Sequence, residues 1–476
     1  MGEEISESHF TETDFRIFQE QLERESIQLK QWFEQKRFSQ APERCGFELE
    51  AWLVDQDFRP AARNHEFIDL LKDPDVTPEL ANFNIEFNYT PQDLAGSGLQ
   101  RIHQDMHQRW HRSQVLAQEL GMQLVVIGIL PTVRPSDLTP ENLSSLHRYR
   151  LLNEQILKLR EGRPLRLDIQ GADILRMQQN DVMLESAATS FQIHYQIPLA
   201  VSRRSYNAAI IASAPLLGIS ANSPFLFGKD LWQETRIPLF EQSVEVGGYE
   251  PGSHGPMRRV TFGSGYANES LFECFQENLL HYPVLLPSKR PASRQYFEHL
   301  RMHNGTLWRW NRPLIGVVGD QYHLRIEHRA IPAGPTIVDC VANAAMFYGL
   351  VHQLSHATIA PEHEIPFSIA RDNFYSAAQK GLQTQLIWKG GIKHSIRSLV
   401  LRELLPAAAE GLQALSVAPR SIGYYLDIIE KRVQTGMNGA AWQRGFVEKY
   451  GADMTKLTAV YIENQNSGLA VHEWEI

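Results

Sequence analysis

Cysteine is scarce: three residues in a chain of 476, Cys45, Cys274 and Cys340, lie far apart without C-x-x-C spacing. That excludes a disulfide scaffold and a cysteine-ligated zinc site, and it suits a reducing compartment. Long apolar runs are missing as well. The most apolar stretch, "AAIIASAPLLGIS", is shorter than a membrane span and contains Pro215. Nor is there an excess of positive charge: Lys and Arg number 46 against 55 Asp and Glu, a formal charge of −9, and no basic patch answers to a nucleic-acid backbone. The opening residues, "MGEEISESHFTETDF", are acidic and polar, unlike a signal peptide. These absences predict a cytoplasmic protein that works on small molecules, without membrane or nucleic acid; homo-oligomerisation is left open.

What is present is globular material, 43% hydrophobic, enough for a core that needs no cross-links. Residues 11 to about 38 have helical spacing through Phe15, Phe18, Leu22 and Leu29. Helices are also predicted over Leu99–Leu120, over "ENLSSLHRYRLLNEQILKL", and through the apolar segment ending near Leu217. "MQLVVIGILP" reads as a buried strand, and "LIGVVGDQYHLRIEHRAI" as one or two strands after a loop-rich stretch from Gly247 to Gly265. From Pro335 onward nearly everything reads as helix, interrupted near Pro366 and Pro419. The pattern predicts mixed α+β rather than strict βαβ alternation.

Four strand candidates share one peculiarity. Side chains alternate across a strand, so "GFELE" sets Glu48 and Glu50 on one face. "NFNIEFNYTP" sets Asn84, Glu86 and Asn88 opposite Phe83, Ile85, Phe87 and Tyr89. "FQIHYQIP" aligns Gln192, His194 and Gln196, and "HLRIEHR" aligns His323, Arg325, Glu327 and Arg329 opposite Leu324 and Ile326. Antiparallel sheets also turn polar faces to solvent, but solvent faces usually carry Lys and Thr, which these positions lack. Converging carboxylates raise one another's pKa and call for either protons or cations. Glu with a lone His is a hard ligand set, suited to Mg²⁺ or Mn²⁺, and a carboxylate-lined pocket accepts a triphosphate only through such ions. The faces therefore point to metal-assisted phosphoryl chemistry. "FGSGYAN" and "VGGYEPGSHG" match no phosphate loop and read as turns. His147, Arg148 and Arg150 read as a solvated helix face, and Trp308 and Trp310 as core or pocket wall.

The same segments resemble the glutamate–cysteine ligase superfamily of carboxylate–amine ligases, over most of residues 40 to 390. "GFELE" is similar to its opening strand, "VTPELANFNIEFNYTP" to its E-L…E…T-P segment, and "FQIHYQIP" to its His-bearing strand. "ISANSPFLFGKDLWQETR" is similar to the A-N-S-P-F…G…R stretch, and "HLRIEHRAIPAGPTIVDCVANAA" to the I-E-x-R strand with its following helix. "GILPTVRP" departs from the G-T-H-P of the family. The resemblance implies a glutamine synthetase-like fold: a curved, largely antiparallel sheet with a concave active-site face, helices on the other face and a helical C-terminal region. Three segments are expected: an N-terminal helix (1–40), a catalytic body (41–390) and helices packed on it (391–476). By the same resemblance Glu48, Glu50, Glu79, Glu86, His194 and Glu327 would hold the metals, while Arg329 and Glu50 would carry catalysis. Arg236 would contact nucleotide, and His323 and Arg325, which extend the face of Glu327 and Arg329, would contact nucleotide or substrate carboxylate. The implied reaction activates glutamate with ATP and Mg²⁺ (or Mn²⁺) as an acyl phosphate, which an amine such as cysteine displaces. The same chemistry on another acid or amine, or a non-catalytic nucleotide-binding relative, are the alternatives.

Overall fold

The computed structural model describes residues 4–246, 258–289 and 296–476. The loop-rich stretch from Gly247 falls mostly outside these residues, as does most of "VGGYEPGSHG".

Alternating strands build one seven-stranded sheet: β1 (Arg44–Val54), β2 (Val76–Pro78), β3 (Asn84–Asp93), β4 (Gln123–Val125), β5 (Phe191–Ile197), β6 (Asn311–Val318) and β7 (Gln321–His328). Their order is β6-β7-β5-β1-β3-β2, with β4 also on β1. Every neighbouring pair is antiparallel, and the sheet curls into a half-barrel. Register brings the polar faces together. Glu50 lies opposite Glu86, and Glu327 lies opposite His194 on one side and Arg312 on the other.

The other face carries Phe47, Leu49, Ile85, Phe87, Ile193, Tyr195, Leu324 and Ile326, all buried. Helices Leu199–Ser220 and Ile337–His356 cover it and are themselves buried almost all round, as expected of helices apolar on every face. The second is long and apolar enough to cross a membrane, but here it is a core helix. Thr336 caps it by accepting from Asp339 N at 3.2 Å, and Tyr348 fastens it to β5 by donating to His194 O at 2.9 Å. Helix Leu405–Ala414 crosses it backbone to backbone. A Cβ on Gly349 would meet Ala408 O at 2.2 Å, and one on Gly411 would meet Gly349 O at 1.9 Å. Arg432, on helix Pro419–Thr435, forms a fully buried ion pair with Asp339 at 2.7 Å.

Three differences from the sequence expectation have physical causes. "MQLVVIGILP" pairs over only three residues, because past Trp52 the same edge of β1 is taken by Ser190 and β5; beyond Val125 the Gln465 side chain satisfies both N–H and C=O of Val126. Residues Leu165–Gln170 and Ile174–Gln179 form a separate hairpin. A second hairpin, Gln385–Ile387 with Lys393–Ser395, interrupts the C-terminal helices around the Gly390-Gly391 turn.

Candidate active site

The concave face encloses a cavity that Glu48, Glu50, Glu79, Glu86, Glu327 and Arg329 all line. Two donor sets stand within it. On β1, β5 and β7, His194 Nε2 lies 3.4 Å from Glu48 Oε1 and 3.6 Å from Glu327 Oε1. Burial pushes the imidazole down to about 4 against the pull of Glu48, so it is neutral. These approaches are then not those of an ion pair. Nε2 is buried without a hydrogen-bond partner, and a buried polar atom seldom stays so unless something binds there. Glu50, Glu79 and Glu86 form the second set. In each set, ligand atoms from all three residues lie within 4.8 Å of one another. The donors fit a hard divalent cation.

The two sets differ in charge. Arg312 grips Glu327 bidentately, Nε to Oε2 at 2.9 Å and Nη2 to Oε1 at 3.0 Å, and Arg329 Nη1 adds a bond to Oε2 at 3.1 Å. Burial alone would raise Glu327, but these guanidiniums hold it well below the ordinary carboxylate range. The second set has no such arginine grip. Burial, with Glu79 beside it, pushes Glu50 up to about 7; burial with Glu48, Glu79 and Glu50 raises Glu86 well above its ordinary value. Glu50 is instead oriented by hydrogen bonds from Ser190 N at 2.6 Å, Ser190 Oγ at 3.0 Å and Gln192 Nε2 at 2.8 Å. Arg329 also donates to Gln192 Oε1 and so stands between the two sets.

Arg325 lines the cavity, and its Nε is buried without an acceptor. His323 and Arg236 are not brought to the wall. His323 packs over Gly316, where an added Cβ would meet its ring at 2.2 Å, and burial beside Arg325 pushes it down to about 4. Arg236 is buried, paired with Glu234 at 3.2 Å and bonded to the carbonyls of Arg329 and Ala330. It braces the main chain behind Arg329, and no residue-type pattern distinguishes such a brace from a ligand contact.

Several wall residues escaped the sequence reading. Arg148 belongs to the cavity rather than to a solvated face, its guanidinium 4.6 Å over the Tyr149 ring. Glu185 lies on the 3-10 turn Met183–Ala187, outside any alternating strand. Arg312 was legible in principle: a turn at Gly319-Asp320 sets it opposite Glu327. Arg312 Nη1 also collects the carbonyls of Gly305 at 3.1 Å and of Asn304 and Leu307 at 3.4 Å, at the end of helix Glu298–Gly305. Trp308 forms part of the wall, and Trp310 is core. "FGSGYAN" lines a separate small pocket.

A family model described as glutamate-cysteine ligase family 2 matches residues 44–459. Among solved structures, the chain is similar to a glutamate–cysteine ligase from Francisella tularensis in complex with AMP, with a TM-score of 0.53 and 11% identity over 92% of this chain and 96% of that one. It is also similar to a bifunctional glutathione synthetase from Pasteurella multocida, with a TM-score of 0.52 and 10% identity over 92% of this chain and 54% of that one. At such identities the likeness is one of fold. No curated protein matches the sequence.

Proposed function

This chain belongs to the glutamate–cysteine ligase family 2, and on that premise we propose that its cavity joins an amino-acid carboxylate to an amine with cleavage of ATP, glutamate being the acid and cysteine the amine. The observation that carries the reading is the pair of donor sets meeting at Arg329 in one cavity. A module that only binds a nucleotide has no need of two such sets. Glu48, His194 and Glu327 would hold one Mg²⁺ or Mn²⁺, and Glu50, Glu79 and Glu86 another. When bound, such ions neutralise phosphate oxygens that the carboxylates would otherwise repel.

The remaining roles belong to the chain itself. Arg329 presents a planar fork to the migrating phosphoryl group, where charge spreads over the equatorial oxygens. Gln192 links that arginine to Glu50, fixing the distance between the donor sets. Arg325 offers its unpartnered Nε to a phosphate or to a substrate carboxylate. The apolar wall of Leu286, Met302, Trp308 and Ile315 suits the flat base of a nucleotide. All of these groups lie in the segment 41–390, which serves as the catalytic body.

The test is ADP release in the presence of Mg²⁺, glutamate and single amines, with product analysis. Release that requires both glutamate and cysteine is expected. Release with another amine changes the substrate and keeps the chemistry. Nucleotide binding without ADP release under any amine would replace a ligase with a non-catalytic binder.

A further inference from the structure

Five lining residues, together with His194, make up the two donor sets; Arg312 is taken up by Glu327, and Arg329 is bonded to Glu327 and Gln192. Two lining carboxylates stand outside the sets: Glu298, which has an interaction partner of its own, and Glu185. Glu185 lines the same cavity yet belongs to neither set. Among the described residues no group donates a hydrogen bond to its side chain or pairs with it; burial, with repulsion from Glu79 and Glu50, disfavours its ionised form more than the more weakly felt Arg329 favours it.

The chain holds this side chain in place with some care. Val182 N donates to Asn153 Oδ1 at 3.0 Å and Met183 N to Asp181 Oδ1 at 3.0 Å, pinning the entry to the 3-10 turn. Met183, Leu184, Ser186 and Ala187 are buried around it, so the turn cannot swing Glu185 out to water without exposing them. A partly buried carboxylate among like charges contributes nothing to stability. Such a placement is the mark of a group that meets a cation in use. Metal ions are provided for by the two donor sets, but an amine substrate arrives as ammonium and must shed a proton before it can attack.

The geometry points to Glu185 as the residue that receives the ammonium group of the acceptor amine and takes its proton. The inference rests on the ligase reading above and adds the end of the cavity at which the amine docks, beside Glu79, Tyr149 and Arg148. The hydroxyl of Tyr149 reaches Glu79 Oε2 at 3.5 Å, which places that tyrosine at the same end. The carboxylate of Glu185 accepts one proton from R–NH₃⁺. The freed nitrogen lone pair forms the C–N bond to the acyl carbon as the C–O bond to phosphate breaks, its electron pair leaving with phosphate. The second N–H proton goes to the departing phosphate, and Glu185 returns its own to solvent.

Hydroxylamine separates this role from a structural one, because it is largely neutral at neutral pH and needs no base. With the full chain, ATP, Mg²⁺ and glutamate, Glu185→Gln should form hydroxamate within about two-fold of wild type. With cysteine or methylamine, whichever the wild type uses, its turnover should fall by about 10²- to 10⁴-fold. That deficit should shrink about ten-fold for each pH unit toward the pKa of the amine, as free amine replaces ammonium. A variant that uses the ammonium-form amine normally, or that loses hydroxamate and amine product equally, overturns the assignment. So does a wild type that makes hydroxamate but accepts neither amine. A wild type that makes no hydroxamate at all removes the ligase reading, and this inference with it.

Discussion

The two donor sets lie on one sheet face but reach their charge state by opposite means. Glu48, His194 and Glu327 are presented by three strands, with Glu327 locked ionised by two arginines. Glu50 and Glu86 have no arginine grip, and Glu79 comes from the segment after β2; here burial and mutual repulsion favour protons. The first set is ready for a cation at any ordinary pH. The second must exchange protons for one. Two carboxylate clusters of similar composition therefore differ in charge state through their neighbours, and a cation entering the second would compete with protons, linking its binding to pH.

The largest effect should come from removing the anchor of the first set. Glu327→Gln deletes a ligand and strands Arg312 and Arg329, both largely buried. Loss of one partner from such a cluster costs about 3–5 kcal/mol in stability. Turnover should fall by about 10³-fold or more, read as ADP release beside a urea denaturation curve. Glu86→Gln should leave the metal-free protein at least as stable as wild type. Equal destabilisation by both variants would erase the distinction.

An intermediate effect concerns pH. Glu50, ordinarily at 4.5, is pushed to about 7 in the fold, so between those values the folded state binds more protons than the unfolded one. The stability this contributes is complete below 4.5 and is lost as pH rises through about 7. Glu327 has the opposite sign: its contribution is present above its ordinary value and is lost only in acid, as pH falls through its depressed one. The Glu50 contribution, read as the stability difference between wild type and Glu50→Gln in the metal-free protein, should therefore fall from about pH 5 to about pH 8, and Mg²⁺ should flatten that slope. A slope that chelation leaves unchanged would place the titrating groups elsewhere.

The smallest effect sharpens the comparison. Ser190→Ala removes the hydroxyl bond to Glu50 Oε1 and keeps the backbone bond to Oε2. With one donor fewer to its ionised form, Glu50 should titrate higher. The pH of half-maximal activity should rise by about half a unit to one unit, with about 1 kcal/mol lost in stability. A pH profile indistinguishable from wild type would show that Ser190 has no part in setting the charge of the second set.

The strand faces were legible because a period of two needs only a single sequence, and Glu48, Glu50, Glu86, His194 and Glu327 all sit on alternating strands. Glu79 lies after β2 and entered through resemblance rather than periodicity. Glu185 and Arg148 lie on a 3-10 turn and in the first turn of a helix, where no alternation marks the face that meets a cavity. The hairpin Leu165–Gln170 with Ile174–Gln179 did carry a signal, since "LRLDIQ" alternates and "GAD" follows it, but its neighbours read as helix and loop. His323 shares a face with Glu327 yet misses the cavity, because side-chain parity gives the face of a strand and not how far along it the cavity extends.

Arg312 uses all three nitrogens of its fork, Nε and Nη2 toward Glu327 and Nη1 toward the carbonyls at the end of helix Glu298–Gly305. Those carbonyls are the ones a helix terminus leaves without partners. The wall bearing Met302 and Trp308 is thus tied to the strand bearing Glu327, and neither can retreat without breaking charge-assisted bonds. The ordering of that wall is completed when the chain folds, so little entropy is left to lose when a ligand enters. Association there should resemble a key entering a finished lock, with fast arrival and little rearrangement.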